Sequence, residues 1–191
     1  MRPRSVPLIG FGPALPAEPP KRWDDVRNSA MRTKLGTNNK PDFDYTNLGL
    51  LFPQNDESEI IYISDQMPHA WSGSDGARTA IHPHIHYIQD EAGVPIFELQ
   101  YRFYNNGTAP PSFTTIDTSA GDGQVFSYSS GSLLQIIRFP AIMLVGMSSS
   151  TWYDMLLYRQ TGDGVSGDVL VKGFDWHAEF DSLGSRGEYA K

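Results

Sequence analysis

Two stretches of strict two-residue alternation limit what this chain can fold into. In Phe97–Phe103, Phe97, Leu99, Tyr101 and Phe103 fall on one side, and Glu98, Gln100 and Arg102 on the other. Toward the end, Phe174, Trp176, Ala178 and Phe180 oppose Asp175, His177, Glu179 and Asp181. A period of two places one side of an extended chain in a core and the other on a polar surface, so both stretches are half-buried strands. The same reading gives strands over 59–64, 79–88, 133–139 and 152–159, with the two alternating stretches extending to 95–104 and 168–180. Turn-forming clusters separate them: Asp-Glu-Ala-Gly at 90–93, Asn-Asn-Gly at 105–107 and Thr-Gly-Asp-Gly at 161–164. Between Trp23 and Phe52 the pattern is mixed, and Phe43 with Tyr45 marks where the first strands could start. Eighteen glycines and fourteen prolines, with 19% charged residues, leave little material for long helices. The expected fold is an all-β, jelly-roll-like antiparallel β-sandwich, with an up-and-down barrel as the other closed solution.

The first twenty residues contain six prolines and no apolar period, which predicts an extended Pro-rich arm over 1–22 leading into one sandwich domain over 23–191. A formal charge of −7 lacks the clustered basic residues that nucleic-acid binding needs. The absence of cysteine excludes disulfides, thiolate zinc sites and cysteine nucleophiles, and fits synthesis in a reducing cytoplasm. Pro7, Gly10, Gly12 and Pro13 interrupt the only early apolar segment, so a signal peptide is not expected, and no apolar run is long enough for a membrane-spanning helix. Neither nucleic acid nor membrane is therefore an expected partner.

The chemically suggestive feature is His82-Pro83-His84-Ile85-His86-Tyr87. On a strand it sets His82, His84 and His86 on one face as candidate metal ligands and turns Pro83, Ile85 and Tyr87 inward. A hairpin return would lay Glu98, Gln100 and Arg102 beside the imidazoles, either as a carboxylate support for a metal or as plain hydrogen-bond partners. A cupin enzyme is the sharp form of the metal reading, with Glu91 following the His84-x-His86 pair. The glycine a cupin carries before that pair is absent at Arg78, and the later His177-x-Glu179 has no sequence reason to lie next to His84. A structural metal on an oligomer axis is an intermediate reading. No nucleophile elbow, phosphate loop or assignable carboxylate pair is present, so no catalytic residue and no organic cofactor are expected. Trp71, ahead of Ser72–Gly76, is the best candidate for a glycan-stacking loop, against the plainer expectation of a buried tryptophan at a strand end.

Four segments together carry a family likeness. Trp23-Asp24-Asp25-Val26-Arg27, Met67-Pro68-His69-Ala70-Trp71, the His82–Tyr87 strand and the terminal Leu183-Gly184-Ser185-Arg186-Gly187-Glu188-Tyr189-Ala190-Lys191 resemble small structural proteins of tailed phages and prophages. The resemblance implies a non-enzymatic virion subunit, made in the host cytoplasm and placed at the head surface as decoration or at the tail or collar. It would bind other virion proteins, capsid or tail and portal components, through its arm and sandwich surface. It further implies a homo-oligomer, a trimer by analogy with virion appendages. A cupin-like metalloenzyme and a tail-tip glycan- or receptor-binding module are the alternatives.

Overall fold

A computed structural model describes residues 21–29, 34–35, 39–68, 71, 80–120, 133–148 and 151–181. The Met1–Pro20 portion of the expected arm, the Ser72–Gly76 loop and the Leu183–Lys191 segment lie outside the described residues. Among the described residues there are twelve strands: β1 (Lys21–Ser29), β2 (Lys34–Leu35), β3 (Asp42–Asp44), β4 (Gly49–Phe52), β5 (Ile61–Gln66), β6 (Ala80–Ile88), β7 (Phe97–Tyr104), β8 (Thr114–Asp117), β9 (Gln135–Arg138), β10 (Ile142–Met143), β11 (Trp152–Arg159) and β12 (Val169–Asp181). All six strands read from the sequence are there, and β1 opens at Lys21, just inside the span expected to be arm.

The strands form a seven-stranded and a five-stranded antiparallel sheet. Within the first, β4, β12, β6 and β9 are successive neighbours; within the second, β5, β11, β7 and β8 are. From β4 onward, consecutive strands cross between the sheets at β4–β5, β5–β6, β6–β7, β8–β9, β10–β11 and β11–β12, which is the double Greek-key layout of a jelly roll. The fold is thus the antiparallel sandwich expected from the alternation. Its core is closed by aromatic contacts between sheets: Phe52 meets Phe97 with ring centroids 5.9 Å apart, and Tyr153 meets Trp176 at 5.8 Å. These edge-on contacts join β4 to β7 and β11 to β12.

Strand β12 carries a local irregularity that the whole sheet needs. Val169 and Val171 face the core, and so do Phe174, Trp176, Ala178 and Phe180, although the two sets have opposite parity. The register against β6 shifts between Val171 and Gly173, inserting Lys172 as a bulge, so both sets reach the same interior. Lys172 Nζ donates to the main-chain oxygens of Asn47 and Leu48, fixing the bulge to the β3–β4 turn. Alongside it, Gly49 is required by close approach: a Cβ there would stand 2.8 Å from Val171 O.

Inward-facing Arg159, at the end of β11, is fully buried. Its guanidinium pairs with Asp163, Nε to Oδ2 at 2.7 Å and Nη2 to Oδ1 at 2.9 Å, and donates to the main-chain oxygens of Phe52, Val165 and Gly167. Asp163 also accepts from the amides of Ile96 and Val165. One ion pair therefore ties three connections at this end of the sandwich. Asp163→Ala leaves the guanidinium buried and uncompensated, and urea unfolding is expected to show a loss of about 3–5 kcal/mol.

Glu59, ahead of β5, has a buried, unpartnered Oε2. Burial, reinforced by Asp56, Asp42 and Asp168, pushes its carboxyl up to about 7 from 4.5. Between those two values the folded chain holds a proton that the unfolded chain releases, so this group's contribution to stability falls as pH rises through the window. Glu59→Gln is expected to raise the thermal midpoint at about pH 8 and leave it nearly unchanged at about pH 4. An equal shift at both pH values would show that the carboxyl ionises normally.

Candidate functional site

The outer face of the seven-stranded sheet holds the histidines. Strand β6 turns Ile81, Pro83, Ile85 and Tyr87 inward, as the sequence requires, and leaves His82, His84 and His86 on the outside. Its neighbour there is β12: His82 is opposite His177, His84 opposite Asp175, and His86 opposite Gly173. On the far side of β12, β1 sets Asp25 opposite His177 and Arg27 opposite Asp175. Opposed residues on antiparallel strands share a face, so the three strands build one polar surface.

Asp175 is its centre. Its residue exposure is only 7%, and its Oδ1 lies 3.3 Å from His86 Nε2 and 3.7 Å from His84 Nε2. Among the described residues this oxygen makes no hydrogen bond of full geometry, and the His86 contact comes nearest to one. The Asp175 carboxylate holds the His86 imidazole above its ordinary pKa, against the opposing effect of burial. For His84, burial dominates and lowers the pKa, favouring the neutral ring, with the nearby Asp175 charge acting the other way. His84 Nδ1 is 3.4 Å from the His82 main-chain oxygen. The His84 ring packs edge-on against His86 at 5.0 Å and against His177 at 4.6 Å. His177 Nε2 in turn contacts Asp25 Oδ1 at 2.6 Å.

Next to this cluster is a pocket of about 400 Å³, lined by Asp25, Arg27, His86, Leu134, Lys172, Gly173 and Asp175. Its lining thus joins the Asp175 cluster to residues of β1 and of the Lys172 bulge. The Lys172 bulge helps form it, because the displaced strand brings Gly173 opposite His86.

Of the three predicted ligands, His84 and His86 come together with a carboxylate, whereas His82 is exposed on the same face and outside the group that could grip one ion. Asp175 was visible only as a member of the polar set on its strand, since the sequence did not show which strand β12 would adjoin. The expected carboxylate neighbour is corrected. The link after β6 crosses to the other sheet rather than making a hairpin, so Glu98, Gln100 and Arg102 lie on the outer face of the five-stranded sheet. There Arg102 Nε donates to Asp154 at 2.7 Å, and Tyr158 and Gln160 donate to Glu98. Glu91 lines a second pocket with Asp168 and Gly167 and does not join the histidines. His177 does lie against His84, but it is held by Asp25, and Glu179 is not part of the cluster. Trp71 is 3% exposed and bridges to Phe180, so its ring is core and not a glycan platform.

The observed pairing has a spectroscopic consequence. Asp175→Asn is expected to move the imidazole ring resonances of His84 and His86, while Glu98→Gln leaves them in place. A shift of those resonances on Glu98→Gln would mean that β7 adjoins β6.

No protein-family model matches the chain, and no curated protein does. Among solved structures, the isomalto-dextranase of Arthrobacter globiformis T6 complexed with panose is similar at TM-score 0.43 and 11% identity, over 80% of this chain and 23% of that one. The present chain thus spans about a quarter of that enzyme's length. TmCBM27, a carbohydrate-binding module described for specific mannan recognition, is similar at TM-score 0.35 and 8% identity, over 82% and 88% of the two chains.

Proposed function

We propose that the chain is a non-catalytic structural subunit of a tailed-phage virion, a decoration or tail-associated protein that works by binding neighbouring virion proteins. The observation that carries this reading is the convergence of the segments bearing the family likeness. Trp23–Arg27 lies on β1, paired with Glu179–Asp175 of β12. His82–His86 lies on β6, paired with the same stretch of β12 from its other side. Trp71 bridges to Phe180, and the Leu183–Lys191 segment follows β12 in the chain. The β1 and β6 segments, far apart in sequence, thus flank one stretch of β12 and share its outer face.

Two further features favour an assembly role. The Pro-rich residues 1–20 feed into Lys21, which pairs with Asp181. Residues 1–20 and 182–191 therefore join the domain at the same end of the β1–β12 pair. Leu133, Leu134, Met143 and Val145, around the β9–β10 edge, are each more than half exposed. Exposed apolar side chains at a sheet edge suit contact with other subunits. Assembly as a closed homo-oligomer would multiply such contacts.

The test is incorporation. Deleting Met1–Pro20 is expected to leave a domain that unfolds cooperatively and yet fails to join particles, assayed by mass spectrometry of purified virions. Normal incorporation of the truncated chain would remove the arm from the account, and absence of the intact chain from virions would remove the function.

A further inference from the structure

The Asp175 cluster gathers two imidazole nitrogens around one buried carboxylate oxygen. His84 Nδ1 lies 3.4 Å from the His82 main-chain oxygen, which leaves Nε2 on the side of Asp175. Two nitrogens and one oxygen converging on one point can share a proton or grip a cation, and their geometry bears on the second.

The spacing suits a metal ion. Around an ion held at about 2.1 Å by each ligand, adjacent ligand atoms are roughly 3.0–3.4 Å apart. Here Asp175 Oδ1 is 3.3 Å and 3.7 Å from the two Nε2 atoms, and the three atoms lie within 4.8 Å of one another. Small imidazole rotations would close the set. The donors stand on β6 and β12, the two central strands of the sheet, so their backbones are fixed from both sides. The His84 ring is further confined by the His177 ring, 4.6 Å away, which Asp25 holds at 2.6 Å.

We propose that His84, His86 and Asp175 form a divalent transition-metal site whose open coordination position faces the adjoining pocket. Two imidazoles and a carboxylate favour zinc, iron(II), cobalt or nickel over calcium or magnesium, which prefer all-oxygen sites. Three protein ligands leave at least one position for an outside group, and Arg27 and Asp25 are on the wall of the pocket it would face. The site does not depend on the virion reading: a structural metal or a reactive one would use the same ligands.

Cobalt(II) is the probe. Full-length protein, stripped with chelator, is titrated with the metal alone and followed by calorimetry and by the visible ligand-field bands of nitrogen-ligated cobalt. One equivalent is expected to bind, displaceable by zinc. His86→Ala and Asp175→Asn are each expected to weaken binding more than about 100-fold. His82→Ala should leave binding within about threefold, because that side chain lies outside the ligand set. Half-exposed His86 is the variant least disruptive to folding, so it carries the test if Asp175→Asn misfolds. Failure of the wild type to take up one equivalent, or unchanged affinity in His86→Ala, would overturn the site.

Discussion

The arrangement of this protein turns on the extra residue in β12. Without the bulge at Lys172, the valines of its first part and the aromatics of its second part could not both face the core, and one set would be exposed to water. A slip of one residue would cost several buried apolar side chains, each contributing about 1.5–3 kcal/mol, so the register is strongly specified. The same correction determines what lies outside. Asp175 and His177 are put on the outer surface opposite His84 and His82, and Gly173 is put beside His86, where the pocket opens. Core packing and the chemical surface are therefore two results of one backbone feature.

This link explains why a carboxylate is held so deep on an outward-facing side. Asp175 sits between β1 and β6, walled by histidines on one flank, and its shielding comes from neighbours and not from the core. A lone aspartate there would be costly, but the imidazoles around it offer either protons or a shared cation. The opposite outer face takes a different course. Asp154 is engaged by Arg102, Ser64 and Tyr104, which lower its pKa against the effect of burial. One carboxylate is saturated by donors and the other is not, and the unsaturated one lies beside a pocket.

Much of the architecture was legible because period-two alternation is a direct imprint of a two-faced sheet. It located β5, β6, β7, β9, β11 and β12 and named inward-facing residues on β6, β7 and β12. It did not reveal β1, whose Lys21–Ser29 sequence has few apolar positions and whose strand form depends on pairing along β12. It also missed β8 and β10, a four-residue and a two-residue strand at sheet edges. Most consequentially, alternation says which face a residue occupies but not which strand lies beside it. Jelly-roll crossings send neighbours in sequence to opposite sheets, so the expected hairpin of β6 with β7 was replaced by pairing of β6 with β12. The histidines could be read as candidate ligands, whereas Asp175, about ninety residues away, could be matched to them only through the fold.

The picture that results is a jelly roll in which β1 and β6 flank β12, with Lys21 and Asp181 paired at one end. Such a surface makes sense on a protein held among neighbours. Imaging intact particles at a resolution that traces this chain tests that most directly. The account predicts the β1–β12 end and the first twenty residues in contact with an adjacent virion protein. Density showing that end facing open solvent, with no neighbour against it, would contradict it.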